Sequence, residues 1–281
     1  MRPGVLRALL FLSLFLQAAT SPAQNSREPY GKNKVQYTDD QFNWWQYETS
    51  HFVLYYYGKS RESAKFIAEI AESENKAIQK LFEFHLRDKI ELVLYADPSD
   101  HAQTNINLDG IWPEKKWKTL PRLKGQKILL FFDGNHSLLR NMLRSGLIQL
   151  YFASFFDGTA LQDAVQQVVD FQLEAWFEEG LLRYLTYGWD QEAERAFLQQ
   201  WKGQSFSKFS AQCPSLAGVS FWNFVVHHYG EQSISNWLYI TRIHKDVEDA
   251  AQIVFSQSFA ALETEWQTWY SNLPGSNSPP Y

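Results

Sequence analysis

The groups in this chain best placed to do chemistry lie in two short stretches, Leu143-Arg144-Ser145-Gly146-Leu147-Ile148-Gln149 and Trp176-Phe177-Glu178-Glu179-Gly180-Leu181. Just ahead of the second, Glu174 stands four residues before Glu178, so one helical face carries both. Glycoside hydrolysis needs two carboxylates flanking a cleft, but two acids on one exposed helix more commonly serve solubility. Ser145 offers a hydroxyl nucleophile, yet Arg144 and Gly146 beside it supply no general base. His227 and His228 are the only paired histidines. Adjacent helical residues point about 100° apart, so these two read as a rim pair, one partly buried and one wet, rather than as joint ligands of an ion. His101, close to Asp97 and Asp100, could enter a metal site, but acids at a helix start read better as caps. A nucleophile elbow, a phosphate-cradling glycine loop and a dinucleotide fingerprint are all absent from the sequence, which sets those chemistries aside.

Two helices must position the two stretches. Leu139, Leu143, Leu147 and Leu150 recur at helical steps, and Asp133, Gly134 and Asn135 provide turn and capping chemistry upstream. Trp176, Phe177, Leu181, Tyr184 and Leu185 form a second stripe, which Gly188 closes. Ahead of them, His51–Tyr57 reads as a strand. A helix capped by Ser60 follows, with Ile67, Ile70, Ala71, Ile78 and Leu81 on its inner face and its charges turned away. A second strand, Lys89–Ala96, completes a strand-helix-strand unit that favours parallel pairing. Gln126–Phe132 is a further strand, expected at the sheet edge, leading into the helix that carries Ser145.

Beyond Gly188 the pattern is almost wholly helical. It gives Gln191–Trp201, a polar break from Lys202 to Pro214, then Ser220–Tyr229 with Phe221, Phe224, Val225 and Tyr229 inward and Gly230 as its stop. Glu231–His244, Val247–Phe255 and Ala260–Trp269 complete the series. Between Pro113 and Lys127 the chain is basic, with Lys115, Lys116, Lys118, Arg122 and Lys124, as expected of a solvated loop guarding a sheet edge.

The two central stretches resemble the active core of a gluzincin metallopeptidase of the peptidase MA type. In that family a Leu-Arg-His-Glu-x-x-His helix is followed about thirty residues later by a Trp-Phe-x-Glu-Gly-Leu helix. Its two histidines and the later glutamate bind zinc, and the intervening glutamate is the general base. In this register the later glutamate is Glu179, while Ser145 and Gln149 occupy the histidine positions and Gly146 occupies that of the base. No His-Glu dipeptide occurs anywhere in the chain. A hydroxyl and an amide are poor substitutes for imidazole, and glycine can take no proton. The resemblance therefore implies a gluzincin-like fold with a degenerate zinc motif, no catalytic residues and no cofactor. Gln103-Thr104-Asn105 and the closing Glu265-Trp266 also fit members of this family that precede a Tol-type β-propeller in bacterial envelope proteins. The likeness extends over roughly residues 50–271. In active members the edge strand before the zinc helix aligns an extended substrate by β-addition, a groove that can outlast the metal.

Address and composition agree with that setting. Arg2 and Arg7, the apolar run Ala8–Phe15 and Ser21-Pro22-Ala23 compose a signal peptide over residues 1–23. Cys213 is the sole cysteine, so no internal disulfide can form, which suits a periplasm better than a disulfide-stapled secreted module. A formal charge of −5 argues against coating nucleic acid. The 11 Trp, 14 Tyr and 21 Phe are expected mainly in the core, with a glycan or protein surface as the sharper reading.

The expected architecture is α+β, a small mixed β-sheet lobe at 51–134 packed on a mainly helical lobe at 135–273. Residues 24–50 are expected to be a flexible lead-in, within which the cluster Phe42-Asn43-Trp44-Trp45-Gln46-Tyr47 is expected to pack on the domain, and 274–281 a disordered tail. The expected function is that of an exported, non-catalytic pseudo-metallopeptidase that binds an envelope protein or peptide. It has no nucleic-acid role and no transmembrane segment after signal cleavage, and the basic stretch leaves room for peripheral membrane association. The alternative is an active zinc peptidase with a non-standard ligand set around Glu179.

Overall fold

The computed structural model describes residues 43–96, 98–102, 122–124, 126–157 and 173–272. The expected signal peptide, the lead-in up to residue 42, Gln103-Thr104-Asn105, the basic stretch up to Pro121 and the tail from 274 lie outside the described residues.

The sheet is built from β1 (Trp44–Glu48), β2 (Phe52–Tyr57), β3 (Ile90–Tyr95), β4 (Arg122–Lys124) and β5 (Lys127–Phe131) in the spatial order β1-β2-β3-β5-β4. It is mixed. β2 and β3 pair in parallel with Leu54 opposite Leu92, and β3 and β5 pair in parallel with Leu92 opposite Ile128. The outer strands β1 and β4 run antiparallel to their neighbours. The parallel β2-β3 pair follows from the crossover helix α1 (Arg61–Phe82), as the strand-helix-strand pattern requires. A side-chain period of two sends Phe52, Leu54, Ile90, Leu92, Leu94, Ile128 and Leu130 to one face, where each is buried.

Three local expectations are corrected. β1 occupies residues 44–48 of the stretch read as lead-in, and all five of its residues are exposed. β5 is interior, because the β4-β5 hairpin places Arg122–Lys124 outside it as the edge. Ser60 does not cap α1 with its side chain. A turn of 3₁₀ helix over Gly58–Ser60 winds directly into α1, and the Arg61 N–H bonds the Gly58 carbonyl.

The remaining helices are α2 (Pro98–Ala102), α3 (His136–Asp157), α4 (Ala175–Tyr187), α5 (Gln191–Trp201), α6 (Phe206–Gln212), α7 (Pro214–Tyr229), α8 (Gln232–His244), α9 (Val247–Phe255) and α10 (Phe259–Ser271). The expected polar break at 202–214 contains α6, which buries Phe206 and Phe209. Tyr229, expected inward, is 36 % exposed.

The sheet residues and the helical residues contribute to one continuous hydrophobic core rather than to separate ones. In the helical part that core is largely aromatic. Trp176 stacks on Phe259 at 5.6 Å and meets Phe206 edge-on at 4.9 Å, and Phe177 lies 5.0 Å from both Trp222 and Trp237. The indole N–H groups find partners, as burial demands: Trp222 donates to the Phe177 carbonyl at 3.0 Å and Trp237 to the Val247 carbonyl at 3.0 Å. Among the described residues most of the large rings are therefore packing groups, though Trp44, Trp45 and Tyr47 on β1 remain exposed.

Candidate functional site

Helix α3 starts where its cap predicts, with the Asn135 side chain accepting the Leu138 N–H at 3.0 Å. Its buried stripe of Leu139, Leu143, Leu147 and Leu150 carries Ser145, Gly146 and Gln149 into the interior with it. Ser145 is fully buried and its hydroxyl donates to the Met142 carbonyl at 3.0 Å. Gln149 is 2 % exposed and its amide nitrogen donates to the Ser145 carbonyl at 3.1 Å. Both side chains are thus turned onto the backbone of their own helix.

Glu179 sits half-buried on α4. Its neighbour Gly180 lies at a very close approach of two helices. A Cβ on Gly180 would come within 2.3 Å of the Gly218 Cα on α7, and one on Gly218 within 1.9 Å of the Trp176 carbonyl. Helix α4 is therefore seated on α7 backbone to backbone, and the glycine of Trp-Phe-x-Glu-Gly-Leu is required by that contact.

The residue that sequence reasoning passed over is Arg144. Its Nη1 donates to Glu74 at 2.7 Å and its Nε to the Leu185 carbonyl at 2.6 Å. Leu185 lies in the last turn of α4, where carbonyls lack partners within the helix and a cation is favoured. One guanidinium thereby ties α1, α3 and α4 together. Glu74, expected among charges facing outward, is 5 % exposed and is also met by Arg140 at 3.5 Å. Two turns further along α3, the Tyr151 hydroxyl donates to Asn75 at 2.8 Å, so a second polar contact fixes α3 against α1.

The other candidate groups are used locally. Glu174 precedes α4 and accepts the Trp176 indole N–H at 2.6 Å. His101 is buried between Tyr95 and Phe131 with Nε2 3.2 Å from the Leu129 carbonyl, and Asp100 accepts the Tyr57 hydroxyl. Asp97 is outside the described residues. His227 and His228 are both exposed, which corrects the reading of one as partly buried. Their rings nevertheless approach to 5.3 Å because both lean on Trp269, and His228 Nδ1 lies 3.0 Å from the Phe224 carbonyl. Cys213 places its thiol 3.0 Å from the Gln200 side-chain oxygen.

An acidic group gathers where α4, α9 and α10 begin. Burial pushes the Glu248 carboxyl up, helped by Glu174, Asp246 and Asp249, and burial with Glu248 and Glu174 does the same to Glu263. A carboxyl whose folded-state value is raised above its unfolded one binds protons preferentially in the folded state, so this patch favours folding more as pH falls. The contribution of this patch is expected to become more favourable on acidification from neutrality toward 4.5, the ordinary value for these groups, so Glu263→Gln should make thermal stability less dependent on pH in that direction than it is in wild type. Glu72 has the opposite sign. Burial raises its carboxyl, but bonds from Thr49 and His51 outweigh burial and hold it below 4.5, so its contribution is present above that value and is lost as pH falls further.

Among the described residues, no group of three or more His, Cys, Asp or Glu side chains is arranged to hold a metal ion. The residues at positions 145, 146 and 149 do not fit zinc either, since one has no side chain and the other two offer only a neutral hydroxyl and a neutral amide, poor ligands beside imidazole or thiolate. Because the bonds of Ser145 and Gln149 are internal to one helix, Ser145→Ala is expected to change unfolding free energy by no more than about 1 kcal/mol in urea titrations. No described helix is long and apolar enough to cross a membrane.

Fold and geometry together define a mixed α/β protein, an N-terminal mixed sheet joined through a shared core to a mostly helical region. A scan against protein-family models finds no match, and a search of curated proteins finds none either.

Proposed function

We propose that this chain is an exported, non-catalytic relative of the gluzincin metallopeptidases that binds a protein or peptide within a bacterial envelope assembly. The observation that carries the reading is the fate of the two positions aligned with zinc-binding histidines. Ser145 and Gln149 are buried and bonded to their own helix, and Gly146 between them offers no base. A catalytic zinc needs three strong protein donors and an open position, and Glu179 alone cannot supply them. The frame around those positions is kept by other means, namely the Arg144 clamp and the Gly180-Gly218 crossing.

A binding role needs a surface that accepts chain, and the edge strand β4, Arg122–Lys124, is the element that could add an extended segment by main-chain hydrogen bonds. The basic residues adjoining it in the sequence favour an acidic partner segment or, as a peripheral contact, anionic lipid headgroups. Cross-linking of the protein in its native envelope, read by mass spectrometry, is expected to map partner contacts to β4. Contacts confined to the outer surfaces of α9 and α10 would instead indicate a structural subunit with no use for the groove.

A further inference from the structure

We draw no further inference here: the strongest candidate, the exposed aromatic strand Trp44–Glu48 at one sheet edge with Arg61 stacked on Trp45, carries nothing because nothing in the structure shows what covers it.

Discussion

Replacing Gly218 with alanine is expected to destabilise the protein by about 3 kcal/mol or more, the upper end of what overpacking costs. Alanine is the better helix former by roughly 1 kcal/mol, so propensity alone would predict a gain. Sterics decide otherwise. The added methyl would stand 1.9 Å from the Trp176 carbonyl oxygen and 2.6 Å from the Gly180 Cα, and both obstacles are backbone. No rotamer change relieves such a clash. Helices α4 and α7 would have to separate along their length, loosening the contact of Trp176 with Phe221 and of Phe177 with Trp222. For a domain of this size the loss corresponds to a fall in Tm of roughly 6–12 °C, measurable by circular dichroism. Gly203→Ala is the control. Its site has no atom within 4 Å but a φ of +72°, so only the left-handed backbone penalty of about 1 kcal/mol applies. A Gly218→Ala protein melting with or above that control would show that α4 and α7 are not in backbone contact.

Arg144→Met is expected to cost roughly 3 kcal/mol, because it leaves a buried carboxylate short of its main partner. The Glu74 side chain is only 6 % exposed, and the remaining cation, Arg140, is 58 % exposed and 3.5 Å away. Arg140→Met should therefore cost less than about 1 kcal/mol, as solvent-screened pairs do. The same loss at Arg144 also frees the Leu185 carbonyl at the end of α4. If the damage comes from stranding Glu74, the double variant Arg144→Met with Glu74→Leu should be more stable than Arg144→Met alone. A double-mutant cycle by urea unfolding measures this directly. Strict additivity of the two changes would remove Arg144 from its place as a tie between α1 and α4.

Much of the frame could be read from the sequence, and the reasons are local. The stripe of Leu139, Leu143, Leu147 and Leu150 and the Asn135 cap define α3, and Gly188 and Gly230 end α4 and α7 where their positive φ angles stop a helix. The β2-α1-β3 unit announced its own parallel pairing. What stayed illegible depended on distant partners. Glu74 looks like any acid on a charged helix until Arg144 arrives 70 residues later. The structural duty of Gly180 is invisible without Gly218. Phe206 and Phe209 are two rings in an otherwise polar stretch, too short a pattern to announce α6. β1 was not legible as a strand because Trp44-Trp45-Gln46-Tyr47-Glu48 lacks the sustained apolar-polar alternation of a half-buried strand, and in the fold all five residues are exposed.

The absence of a working metal site at Glu179 is the claim on which the proposed role rests, and elemental analysis of the purified protein tests it most directly. Wild type and Glu179→Ala, prepared without chelator and supplied with zinc, should both contain far less than one zinc per chain and should be alike. One zinc per wild-type chain that disappears in Glu179→Ala would contradict the account and restore a metallopeptidase.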